Sequence, residues 1–223
     1  MLFVIRCWEL ELTQLLEKDA RFWDKIADKY NKRPVGDEET YQHKLRLTQA
    51  FLTSEMDVLE FGCGTGSTAI LHAPHVKSIR AIDVADNMLK HGRTKAAQAG
   101  VTNITFEVAS IEALPEDGSK YDVILGLNIL HLCRNPRAVT QKVRRMLKPG
   151  GLFVQSTACL KNMGPLARVF IPMMQVIGKA PYVNFMSSRE LRQILDSEGF
   201  HIVEKHTPDN SVTDFLIARR AVD

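Results

Sequence analysis

No aspartate or glutamate occurs between Asp122 and Glu190. Ten lysines and arginines fall in that interval, so the remainder of the chain carries 19 basic against 26 acidic residues. The formal net charge of +3 therefore conceals a polarised sequence, which predicts one basic face. Paired cysteines are missing as well. Cys7, Cys63, Cys133 and Cys159 are scattered without a C-x-x-C pair, which argues against a disulfide framework or a zinc site and fits reduced thiols. Long apolar runs are also absent. The start "MLFVIRCWELEL" has no basic lead and soon meets Glu9 and Glu11, and the later run "VFIPMMQVIG" is about half of a membrane span. The expectation is a cytoplasmic protein.

What is present suits one globular domain: 223 residues, 45% hydrophobic and 25% charged. Helical periodicity covers about Thr13 to Tyr30 and Tyr41 to Leu52, broken by "NKRPVGDEET". A strand–helix alternation follows. "DVLEFG", "SIRAIDV", "ITFEVAS", "YDVILGLNIL" and "LFVQSTA" read as strands, and "STAILHA", "NMLKHGRTKAAQAG" and "PRAVTQKVRRMLKPGG" read as helices. "SSRELRQILDSEGF" is a further helix, with Ser187 and Glu190 placed for a capping box. Two strands, "HIVEKH" and "DFLIARRA", close the chain around the turn-rich "TPDNSVT". The expected fold is α/β: a doubly wound, mostly parallel seven-stranded sheet with a C-terminal antiparallel hairpin. Residues 1–50 form a helical cap on that reading, 51–223 the α/β core, and 160–186 an apolar lid.

The stretch "VLEFGCGTGSTAI" carries the chemistry. Gly62, Gly64 and Gly66 follow a buried strand and precede a helix, the place where open α/β sheets bind ligands. The spacing is G-x-G-x-G, not the G-x-G-x-x-G of pyrophosphate loops. Glu60 precedes the first glycine, and Asp83 ends the second strand, where a carboxylate can accept ribose hydroxyls. A nucleoside-binding loop is the expectation.

Four segments in order, "VLEFGCGTG", "IRAIDVADNML", "YDVILGLNILHL" and "LKPGGLFV", together with "FWDKIADKY" near the start, resemble the motifs of class I S-adenosylmethionine-dependent methyltransferases. The flavour is similar to the ubiquinone/menaquinone-biosynthesis branch that methylates small molecules. The resemblance implies S-adenosyl-L-methionine as cofactor and a Rossmann-like fold. It implies that Gly62, Gly64 and Gly66 let the backbone approach the methionine and ribose portions. Glu60 would meet the amino end, Asp83 the ribose diol, and Val84 and Met88 the adenine flanks. Ser110 and Ile111 would meet the adenine edge, although the family often has aspartate where Ser110 stands. Asn128 would lie near the reactive end, and Tyr30 would close over the methionine portion.

His131 is the candidate general base where the acceptor must lose a proton. His72 and His75 resemble a ligand pair, but nothing nearby completes a metal site, and the expectation is a surface position. The segment from Lys161 to Ser188 is apolar and holds Met163, Met173, Met174 and Met186, as suits a surface adapting to varied apolar shapes. Pro165, Pro172 and Pro181 argue against one uninterrupted helix there. The favoured reading is methyl transfer to a small hydrophobic or amphiphilic acceptor, with a possible peripheral membrane contact through the basic interval and the lid. The alternatives are a methyltransferase acting on RNA or protein, and a non-catalytic cofactor-binding protein. No nucleic-acid partner is expected, because an RNA-binding module and the N-P-P-Y-like tetrad of base-amine enzymes are both lacking.

Overall fold

The computed structural model describes residues 2–116, 118–163, 165–208 and 212–222, with side chains from residue 13 onward except 162 and 165–167. The Cys7 side chain and residues 209–211 of the expected turn therefore lie outside the described residues.

Val58, Leu59, Glu60 and Phe61 are all buried because β1 (Asp57–Phe61) sits inside a sheet covered on both faces. Two helices precede it, α1 (Leu2–Asn31) and α2 (Glu38–Gln49). The chain continues through α3 (Ser67–His72), β2 (Ser78–Asp83), α4 (Asp86–Gln98), β3 (Ile104–Val108) and β4 (Tyr121–Leu127). It ends with α5 (Pro136–Met146), β5 (Leu147–Ala158), α6 (Pro165–Val176), α7 (Ser188–Ser197), β6 (Phe200–His206) and β7 (Thr213–Arg220). The seven strands lie in the order β3-β2-β1-β4-β5-β7-β6. All neighbours are parallel up to β5, and β7 then pairs antiparallel with both β5 and β6.

Side chains of successive strand residues leave opposite faces. Leu59, Phe61, Ile124 and Phe153 thus join one core with Val143 of α5 and Leu191 and Leu195 of α7. Val58, Val123, Leu125, Leu152 and Val154 join the other, with Ala69 of α3 and Leu89 of α4. The helices change face between β1 and β4, which creates the switch point at the carboxyl end of β1. The Ser187 hydroxyl accepts from the Glu190 N–H and the Ser187 N–H donates to the Glu190 carboxylate, so the capping box forms.

Several expectations change. β4 stops at Leu127 because Asn128 takes a left-handed φ of 56°, which a strand cannot continue through. β5 begins at Leu147, before the Pro-Gly-Gly segment, with a register break opposite Tyr121 and Val123. α6 runs through Pro172; Pro165 stands at the first position, where its missing N–H costs nothing. His72 is buried, one turn from Ala69 on the face of α3 that meets the sheet, and burial lowers its pKa to about 4. Cys63, Cys133 and Cys159 are buried unpaired thiols.

The acid-free interval does not form one basic face. Acids from elsewhere in the chain fold onto it: Arg134 pairs with Asp19 (2.9 Å), Arg137 with Glu198, Arg145 with Glu116, Lys148 with Asp122 (2.8 Å) and Lys161 with Glu190.

Candidate active site

The three loop glycines all have left-handed φ, 64° at Gly62, 55° at Gly64 and 69° at Gly66, so each position favours glycine on backbone grounds. Their surroundings differ. A Cβ on Gly62 would lie 2.5 Å from Ile129 Cγ1, and one on Gly66 2.7 Å from the Phe106 ring. At Gly64 the nearest atom is Tyr30 Cε1 at 3.9 Å, across open space. Gly62 and Gly64 both line the cavity and Gly66 is not among its lining residues, while Gly62 and Gly66 also admit neighbouring protein side chains.

The loop is tied to β2. The Gly64 N–H donates to Asp83 Oδ2 (2.8 Å) and the Ala85 N–H to Asp83 Oδ1 (2.9 Å). Burial raises the Asp83 pKa, and these backbone donors oppose the rise. Each carboxylate oxygen retains capacity for another donor.

Glu60 is 3% exposed, and its Oε2 has no partner among the described residues. Burial, with the nearby Asp83 charge, pushes its pKa up to about 8. A buried carboxyl with an orphan oxygen is costly, and Glu60 is among the residues that line a cavity of about 470 Å³. The same cavity is lined by Tyr30, Gly62, Gly64, Asp83, Val84, Met88, Ser110, Ile111 and Asn128. Ser110 is engaged locally, its hydroxyl accepting from the Ala113 N–H (3.1 Å). Ser156 donates to Asn128 Oδ1 (3.2 Å), which leaves the Asn128 amide N–H groups as donors. Tyr30 is half-exposed, and burial together with the Asp83 charge raises its pKa.

His131 is not brought to this cavity. It lies in the single 3₁₀ turn Leu130–Leu132, whose Leu132 lines the cavity while His131 does not. Burial holds its pKa near 4, and its Nδ1 has no partner among the described residues. The apolar segment is corrected too. α6 does not line the cavity, and Met186 is buried in the sheet core. Pro181 and Tyr182, after α6, are the segment's contribution to the wall.

The outer half of the cavity was not legible beforehand. Leu16, Asp19 and Trp23 of α1 line it, opposite Leu132, Arg134 and Tyr182. The Arg134 guanidinium lies 3.8 Å over the Tyr182 ring while pairing with Asp19. The heptad-like spacing of Leu16, Asp19 and Trp23 could have marked one face of α1, but nothing in the local pattern says what that face meets. Among the described residues, no group of three or more His, Cys, Asp or Glu is placed to hold a metal ion, and no helix is long and apolar enough to cross a membrane.

Sheet order and glycine loop define a Rossmann-like fold with its cavity at the switch point. Residues 58–151 match the family model described as a methyltransferase domain. The chain is 34% identical over 101 residues to the ubiquinone biosynthesis O-methyltransferase of Paracidovorax citrulli, covering 45% of this chain and 42% of that protein. It is 29% identical over 110 residues to the uncharacterized methyltransferase YcgJ of Bacillus subtilis, covering 49% and 44% respectively. The match thus spans less than half the length of both relatives. An S-adenosylmethionine dependent methyltransferase from Mesorhizobium loti shares the fold with a TM-score of 0.68 at 19% identity, covering 83% of this chain and 99% of that one. The domain match and these likenesses support a class I S-adenosylmethionine-dependent methyltransferase.

Proposed function

We propose that the protein transfers the methyl group of S-adenosyl-L-methionine to a small, hydrophobic or amphiphilic acceptor. The observation that carries this reading is the buried Glu60 carboxyl, one oxygen of which has no partner among the described residues, in a residue that lines the same cavity as Asp83. An ammonium group answers that orphan, and a vicinal diol answers the open lone pairs of Asp83. A nucleoside of an amino acid presents both groups, and Gly64 leaves the space between them clear.

The cofactor supplies an electrophilic methyl group on a cationic sulfonium. The chain would hold an acceptor in line with that methyl group for a displacement at carbon, with Glu60 and Asp83 placed to hold the cofactor's two ends. The chain's tasks are alignment and exclusion of water. Val84, Met88 and Ile111 offer apolar walls for a flat base, and Asn128 lines the same cavity. Leu16, Trp23, Leu132 and Tyr182 give the outer half an apolar and aromatic wall, which suits an acceptor with an apolar body. The helices α1 and α2 act as a cap over this half.

The test is direct. Calorimetry with S-adenosylhomocysteine should show binding that Asp83→Ala weakens. Incubation with methyl-labelled cofactor should then transfer label to small apolar acceptors from quinone, lipid or amine pools. Label appearing in RNA or protein alone would refute the acceptor class, and no binding of either cofactor form would refute the whole reading.

A further inference from the structure

The outward side of α6 is apolar. Val169, Phe170, Met173, Val176 and Ile177 are each more than half exposed, Val176 reaching 87%. At 100° per residue these five positions fall within an arc of about 120°, one continuous stripe. Outside that arc, Ile171 and Met174 are partly buried. A helix apolar on both sides is ordinarily enclosed, yet this one is not. Exposed apolar surface concentrated in this way marks an interaction site.

The charges around the stripe select the occupant. Arg168 precedes the stripe and Lys179 follows it in sequence, both exposed and without an ion-pair partner among the described residues. They differ in this from the basic residues of the same acid-free interval that are paired with Asp19, Glu116, Asp122, Glu190 and Glu198. A second copy would present the same two cations across a two-fold axis, which repels. An anionic lipid surface offers the opposite charge and an apolar layer beneath it. The stripe also adjoins the candidate active site. The Gln175 side-chain amide donates to the Pro181 carbonyl (2.8 Å), and Pro181 and Tyr182 line the cavity.

We propose that α6 docks this protein on an anionic lipid bilayer, with the Val169–Ile177 stripe entering the interface and Arg168 and Lys179 on the headgroups. The cavity wall at Pro181 and Tyr182 then lies close to the lipid surface. Docking does not depend on methyl transfer.

The experiment is co-sedimentation of the full chain with vesicles of phosphatidylcholine alone and of phosphatidylcholine with phosphatidylglycerol, at low and moderate salt. The expected result is salt-sensitive binding to the anionic vesicles, at least about tenfold tighter than to the neutral ones. A double variant Phe170→Glu/Val176→Glu should abolish it, and Arg168→Glu/Lys179→Glu should weaken it by about tenfold or more. Calorimetric affinity for S-adenosylhomocysteine should be unchanged in both, because none of the four residues lines the cavity; this keeps a folding failure or a failed cofactor assignment distinct from a failed docking surface. Absence of binding to anionic vesicles at low salt would overturn the proposal. So would binding that neither double variant changes, or a lipid-free dimer that Phe170→Glu/Val176→Glu dissociates.

Discussion

On the proposed reading, Glu60 couples proton uptake and stability to cofactor binding, with a pH dependence large enough to measure. Its folded pKa of about 8 stands above the unfolded value of 4.5 because the carboxyl is buried with one oxygen unpaired. A raised carboxyl pKa is stabilising below 4.5 and is lost as pH climbs to 8, since the unfolded chain gives up a proton that the folded chain keeps. The slope is about 1.4 kcal/mol per pH unit, so at pH 7 the unliganded protein gives up about 3 kcal/mol. Glu60→Gln removes the titration while keeping the shape, and the unliganded variant should melt several degrees higher at neutral pH, at about 2–4 °C per kcal/mol for this size. Ligand binding reverses the preference. An ammonium against Glu60 requires the ionised form, so binding below pH 8 must expel a proton. Affinity for S-adenosylhomocysteine should then rise about tenfold per unit from pH 5.5 to 7, with close to one proton released per molecule bound. Calorimetry in two buffers of different ionisation enthalpy counts that proton. Glu60→Gln should bind more weakly at pH 7, flatten the pH slope and release no proton. Flat affinity between pH 5.5 and 7 with no proton release in the native protein would refute the assignment of Glu60 to the amino end.

Four further substitutions separate ligand contacts from structural ones. Asp83→Ala should weaken S-adenosylhomocysteine binding by roughly 2–3 kcal/mol, since it removes charge-assisted acceptors for a diol and also frees the Gly64 and Ala85 N–H groups; calorimetry on the folded variant checks it. Gly66→Ala meets the Phe106 ring at 2.7 Å with φ at 69° and should lower stability by roughly 2–4 kcal/mol. Gly64→Ala meets nothing closer than 3.9 Å and should melt within a few degrees of the native protein, at about 1 kcal/mol of φ strain, while losing cofactor affinity; paired melting and calorimetry distinguish the two. His131→Asn should leave the pH profile of turnover unchanged, because His131 lies outside the cavity lining; a lost limb in that profile would return it to the chemistry.

The order of strands and helices, the loop between β1 and α3 and the positions of Glu60 and Asp83 were all legible in the sequence, because each depends on neighbours a few residues away. Runs such as Val58–Phe61 and Val123–Leu125 declare burial on both faces by themselves, and a glycine loop after such a strand falls at the sheet's carboxyl edge whatever the rest of the chain does. Tertiary structure decided what depends on distant partners. Gly62 and Gly66 look identical to Gly64 in sequence, yet Ile129 and Phe106 occupy their faces. The acid-free interval promised one basic face, but charge neutralises through space, and Asp19, Glu116, Asp122 and Glu198 reach it from other elements. Met186 and the exposed Met173 belong to the same apolar segment, and only the packing of the chain after α6 sent one into the core and left the other outside. The outer wall of the cavity joins Trp23 to Tyr182, residues that no local period relates, so only the folded chain could bring them together.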